Sequence, residues 1–328
     1  MAVALGDLAE MLVQEKGPPF VKALKTETFM LSRLEEHGMI HEGRPTLSWK
    51  VNYAGNTGVG SYGEGDTAGG SGKQSVKTAT LAYKSVRAEV GSSGIALAVS
   101  EAGGTIVDDL LFEFNGALRD MKKDIDTQLL TDGAGNTGKD LTGIQAGVGD
   151  TGIYAAIDRG DDTWWKSYVL SNGGDPRNLS EALIATAVDE LALRGASRRT
   201  LEVWCGPKQW RKFGDLYRGE RRQTPQRLTG GYMALDFEGV PVLQVPGYAA
   251  ARMDVLDVSQ IDYSMLPVTS NSQLAKELRP VLAVPGVPGF GILVMGAVKD
   301  ALDFWIIHYA QLRVLNPYLM ASIQDLAE

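Results

Sequence analysis

The chain is predicted to fold as an α+β protein, and three observations predict it. Strand-like alternation flanks a glycine-rich stretch at residues 54–74, one long amphipathic helix follows at residues 104–131, and strand-like sequence returns from Val281 to Val314. Strands and helices thus fall in blocks, unlike the regular strand–helix–strand alternation of a nucleotide-binding parallel sheet.

The first strand signal is Leu47, Trp49, Val51 and Tyr53 alternating with Ser48, Lys50 and Asn52, a period of two. Eight glycines follow between residues 54 and 74, at positions 55, 58, 60, 63, 65, 69, 70 and 72. A return leg from Gln74 to Val90 is rich in Val, Thr, Ala and Tyr, so the whole reads as a long hairpin with a tip too glycine-rich to bury a core. A structureless loop beyond about 12–15 residues is usually functional or disordered, and such an arm gains stability by lying on a neighbouring subunit. Residues 1–44 read as a second arm with little core of its own. A short helix over Leu5–Lys16 is broken by Gly17-Pro18-Pro19, and a weakly amphipathic piece spans Phe20–Glu36.

The long helix carries Ile106, Leu110, Leu111, Phe114, Leu118, Met121, Ile125 and Leu129 on one face, with Thr105 as N-cap and Asp132-Gly133 as stop. At 1.5 Å per residue it forms a rod of roughly 40 Å. Further on, a helix is expected from Asn178–Ser180 to Leu193, a strand at Thr200–Cys205, and a helix from Pro207 to Tyr217. Strands are expected at Phe237–Val245 and Met253–Val258.

Composition narrows the function classes. Hydrophobic residues make up 44% and charged residues 22%, within the globular range, and the net charge of −8 argues against coating a phosphate backbone. No apolar run approaches the roughly 18–20 residues of a membrane helix, and the first residues lack a signal-peptide pattern, so a cytoplasmic start and no membrane partner are expected. The single cysteine, Cys205, excludes an internal disulfide and reads as a small hydrophobe in a buried strand.

Chemical motifs are weak. Gly133–Gly138 fits a glycine-rich phosphate loop, but a helix precedes it and Asp140 stands where such a loop needs Ser or Thr. His37 and His41 are four apart beside Glu35, Glu36 and Glu42, but Gly38 interrupts the helix that would align them, so they read as solvated arm residues. His308, in an aromatic strand, reads as a packed histidine. No catalytic set, cofactor site or metal site is expected. Arg218, Arg221, Arg222 and Arg227 cluster with Asp215 and Glu220 interleaved and no aromatic platform, which favours intersubunit ion pairing over nucleic-acid binding.

The order of arm, hairpin, long helix, compact middle and closing strands resembles the major capsid proteins of tailed bacteriophages with the Hong Kong 97-like fold. Local phrases agree: Gly143-Ile144, Asp158-Arg159 through Thr163-Trp164-Trp165, Val203 to Pro207 leading into a helix, and Phe237 to Val242. The resemblance implies an N-terminal arm (1–44), an extended loop (45–88), a peripheral domain (89–150) with its spine helix (104–131), a mainly axial domain (151–285) and closing peripheral strands (286–328). It implies self-assembly into hexamers and pentamers of an icosahedral virion shell, put together in the host cytoplasm. The implied partners are scaffolding and portal proteins, a decoration or cement protein, and enclosed double-stranded DNA held by weak non-specific contact.

Subunit-contact candidates are Trp49, Tyr53, Tyr62, Lys73, Lys77, Arg218, Arg221, Arg222 and Arg227. Some members of the family join a loop lysine to a neighbour's asparagine, which makes Lys73, Lys77 and Asn316 cross-link candidates. The long charged N-terminal segment that some relatives use as internal scaffold has no match here. Two alternatives stand: an encapsulin-like protein compartment, and an α+β hydrolase or binding protein with residues 54–74 as a lid.

Overall fold

The computed structural model describes residues 28–43, 45–65, 72–93, 106–216, 226–227, 233–268, 281–284, 289–294 and 301–327. Two mixed sheets organise them.

The first sheet is built on β16 (Ala301–Val314). One of its edges pairs with β4 (Lys84–Ser93) over ten residues, and the other carries β13 (Ile261–Met265) and then β15 (Phe290–Val294), with β14 (Val281–Ala283) beyond β15 and β1 (Ile40–Glu42) beyond β13. Period-two alternation divides β16 between two faces. Phe304, Ile306, Ala310, Leu312 and Val314 enter the main core, whereas Trp305, Ile307 and Tyr309 join Val268 and Leu293 on the opposite face.

The long helix, α2 (Ile106–Leu129), lies over the first face. Phe114, Leu118, Met121, Ile125 and Leu129 are buried at steps of three and four, the stripe expected of a helix on a sheet. It stops where Gly133 takes φ +76, with Leu141 and Thr142 so close that a Cβ would sit 2.7 Å from their backbone atoms. Both requirements point to glycine.

The second sheet runs β7 (Tyr168–Leu170), β17 (Ala321–Ile323), β12 (Met253–Asp257), β8 (Leu201–Cys205), β11 (Val240–Gln244), β10 (Met233–Phe237) and β9 (Gln226–Arg227). Helix α3 (Glu181–Leu193) covers it with Ile184, Ala187, Val188 and Leu191, and α4 (Pro207–Leu216) adds Phe213. Strand β8 serves two cores at once. Leu201, Val203 and Cys205 face the second core, while Glu202 and Trp204 point the other way, where Trp204 joins the first core. Cys205 is fully buried, and burial pushes its thiol pKa well up, as suits a small hydrophobe rather than a nucleophile.

Two expectations change. The return leg of the hairpin is two strands, β3 (Ser75–Leu81) pairing with β2 (Leu47–Ala54), and β4, which leaves the hairpin for the first sheet. Alternation continues through the change of partner, so it carries no mark of it, and a division after residue 88 falls inside β4. Nor do residues 28–43 lie outside the core. Helix α1 (Phe29–Glu36) buries Phe29, Met30 and Leu34 at 2%, 0% and 1% exposure, and β1 extends the first sheet in parallel with β13. Residues 1–27, with the expected Leu5–Lys16 helix, lie outside the described residues. Among the described residues no helix is long and apolar enough to cross a membrane.

Candidate subunit-contact site

The hairpin is the natural starting point, because alternation gives it two unlike faces. Register pairs Trp49 with Ala79 and Val51 with Lys77, and with Tyr53 these form one face; Ser48, Lys50, Asn52, Val76, Thr78 and Thr80 form the other and are exposed.

The first face is held by the hairpin's own chain. A small hairpin, β5 (Ile153–Tyr154) and β6 (Ile157–Asp158), and a 3-10 turn at Thr163–Trp165 lie against it. Trp49 packs on Trp165, donates from Nε1 to the Leu315 carbonyl at 3.0 Å and lies beneath the Arg313 guanidinium at 5.4 Å. Thr80 N–H donates to the Ala155 carbonyl at 2.9 Å. Farther out, Tyr53 stacks on Trp164 with ring centroids 4.8 Å apart, and Lys77 pairs with Asp162, which also accepts from Trp164 Nε1 at 3.0 Å. Its hydrogen bond to Asp162 raises the Lys77 pKa. Trp49, Tyr53 and Lys77 therefore make contacts within one subunit, which their alternation alone could not reveal. The partners Asp162, Trp164 and Trp165 lie about a hundred residues on; their only sequence signal is the paired tryptophans.

The tip differs. Residues 55–65 are exposed throughout, and Val59 and Tyr62 stand 83% and 87% open. Lys73 is exposed near the base of the tip. Arg218, Arg221 and Arg222 lie outside the described residues, and Arg227 sits in β9, paired with Met233. Asn316 caps the turn at Pro317–Leu319 by accepting the Tyr318 N–H at 3.3 Å, so its side-chain oxygen is engaged within the chain.

The remaining polar residues form structural sites. His37 and His41 do not converge: His37 meets Glu202 at 3.0 Å and His41 meets Asp262 at 3.4 Å. They are thus anchored rather than freely solvated, and no group of three metal-ligating side chains occurs among the described residues. His308 is buried, with Nδ1–H donating to the Gly289 carbonyl at 2.8 Å, so its Nε2 accepts from the Tyr263 hydroxyl at 2.6 Å. Burial pushes its pKa down to about 4. In the glycine-rich loop after α2, Asn136 and Thr137 take positive φ and no strand precedes, which is not a phosphate-loop geometry. A polar cleft of about 810 Å³ opens beside this loop, lined by residues including Lys84, Arg87, Asp124, Lys139 and Asp140. Its mixed charges present no convergent acid–base or nucleophilic set.

Comparison with known proteins places this architecture. The model of the SU10 major capsid protein family matches residues 19–277. The capsid asymmetric unit of cyanophage A-1(L) superposes with a TM-score of 0.73 at 17% identity, covering 93% of this chain and 94% of that one. A Mycobacterium phage Patience structure gives 0.58 at 12% identity over 97% and 86%. The SrpI encapsulin complex of Synechococcus elongatus gives 0.55 at 11% over 89% and 87%. At these identities the likenesses establish a shared fold. No curated protein matches the chain in sequence.

Proposed function

The chain belongs to the SU10 major capsid protein family, and we propose on that premise that its hairpin tip is the part that joins one shell subunit to the next. The protein is a structural subunit of a phage capsid with the Hong Kong 97-like fold, and its family is one of shell proteins rather than enzymes. The encapsulin likeness rests on fold alone and does not displace that assignment.

The observation carrying the proposal is the contrast along one hairpin. Its root is packed on its own subunit through Trp49, while Val59 and Tyr62 are almost fully open at its end. Two large apolar side chains on a glycine-rich tip gain stability when another surface covers them, and closed symmetry supplies that surface on the next copy. In this reading the subunits form hexamers and pentamers, and the charges of Lys73, Arg218, Arg221, Arg222 and Arg227 select partners more than they add affinity. Residues 45–83 act as extended loop, 84–150 and 286–328 as the peripheral part and 151–285 as the mainly axial part, the first division moved to the start of β4. Scaffolding, portal and decoration proteins complete the shell in the host cytoplasm. The net charge of −8 suits a wall that holds packaged double-stranded DNA only weakly.

Negative-stain electron microscopy with light scattering tests the tip. The double substitution Val59→Ser, Tyr62→Ser is expected to leave a folded subunit that no longer closes into shells. Normal shells from that variant would remove the tip from the contact.

A further inference from the structure

Residues 28–43 are attached at three successive points to three different elements. At the first, Asp126 of α2 caps α1 from outside: its carboxylate accepts the N–H of Phe29 at 3.2 Å and of Leu31 at 3.0 Å, while the N-cap residue Thr28 makes no side-chain cap. At the second, Glu202 of β8 receives the Arg33 guanidinium through two nitrogens, His37 Nε2 at 3.0 Å and Trp204 Nε1 at 2.9 Å. At the third, β1 pairs with β13, flanked by the Tyr263 N–H on the Met39 carbonyl and the Gly43 N–H on the Met265 carbonyl.

The two carboxylates differ. Burial raises the pKa of Asp126 to about 6 despite the backbone donors. Burial acts the same way on Glu202, but the hydrogen bonds from His37 and Arg33 outweigh it and hold that carboxyl below its ordinary range. Glu202, at 3% exposure on the face of β8 turned toward α1, is therefore a charge that the segment itself satisfies.

Topology makes the segment separable. Strand β1 is the edge strand, so withdrawing residues 28–43 breaks the β1–β13 pairs and no other sheet pairing. We infer that residues 28–43 form a releasable strap across the junction of the two sheets, with Glu202 as the group that decides whether it is seated. Seated, it ties α2, β8 and β13 together; released, it removes one tie while other contacts, such as Arg252 donating to the Val148 carbonyl at 2.8 Å, remain. A shell subunit built this way can take more than one relative setting of its two sheets without unfolding either.

Hydrogen exchange read by mass spectrometry on the full-length unassembled chain tests this. In the unsubstituted protein, amides of α1 and β1 should exchange at least about tenfold faster than those of β8 and β16, the sign of a local opening. Equal rates would show that the segment opens only with the whole subunit, and would overturn the strap. Glu202→Gln should speed exchange in residues 30–42 by a further factor of about ten or more and leave β16 unchanged. The pair Arg33→Met with Glu202→Gln, which removes both charges and keeps an acceptor for Trp204 Nε1, should restore slow exchange. A uniform rise across both sheets in Glu202→Gln, or no restoration in the double variant, would also count against it. The comparison within the unsubstituted protein needs no variant to fold.

Discussion

Residues 28–43 and the hairpin of β2 and β3 look alike as sequence, each a short element with too little apolar surface to stand alone. In the folded subunit they part company. The first sinks Phe29, Met30 and Leu34 into the main core and brings Arg33 to a buried carboxylate; the second packs one face at its root and holds its tip in solvent. The difference lies in what waits elsewhere in the chain. A segment becomes core when distant residues supply both an apolar seat and partners for its polar groups. It remains an arm when its only seat is at the base.

The largest effect should fall on α1. Met30→Ala removes a fully buried side chain, and about 2–5 kcal/mol should be lost from the free energy that holds α1 in place. Exchange protection of residues 30–36 reports it, and unchanged protection would mean that α1 rides on the surface as the tip does. Next comes the first sheet, from which β1 hangs and into which the hairpin's chain returns as β4. His308 is neutral in the fold with its pKa lowered to about 4 from 6.5. The unfolded chain therefore binds the extra proton first as pH falls. The stabilisation is complete above about pH 6.5 and declines toward pH 4, by about 3 kcal/mol in all. Urea titrations at stepped pH should show this, and His308→Gln should remove that part of the slope. A smaller loss, about 1 kcal/mol, is expected at the hairpin root for Trp49→Phe, which gives up the hydrogen bond to the Leu315 carbonyl. A loss as large as that for Met30→Ala would erase the contrast. The smallest change, within about 0.5 kcal/mol in urea unfolding of the unassembled subunit, belongs to Tyr62→Ser, whose side chain touches little of its own chain.

Much of this architecture was legible in the sequence where a signal is local. Helix α2 follows from apolar residues at steps of three and four, and β2 with β3 from alternation around a glycine-rich tip. The strand expected at Phe237–Val245 instead begins at Val240, because Glu238-Gly239 form the turn between β10 and β11. The docking of α1 was not legible, because Asp126 and Glu202 lie 97 and 169 residues from the groups they bind. The split between β3 and β4 escaped for a related reason: alternation records which face is buried, not which strand is the partner. Among the contact candidates, Trp49, Tyr53 and Lys77 are engaged within their own chain, and residue type alone marks only a side chain that calls for a partner. It could not tell a partner in the same subunit from one in the next.

One strand gives the order of events during synthesis a particular importance. β17 (Ala321–Ile323) lies inside the second sheet, parallel to β7 on one side and antiparallel to β12 on the other. β7 leaves the ribosome about 150 residues earlier and β12 about 65 residues earlier, and each must wait with an open edge. Until then the nascent subunit carries two strand edges able to pair with the wrong chain. Without β17, β7 has no partner in the second sheet and β12 keeps an unpaired edge, so that sheet closes only when residues 321–323 are in place.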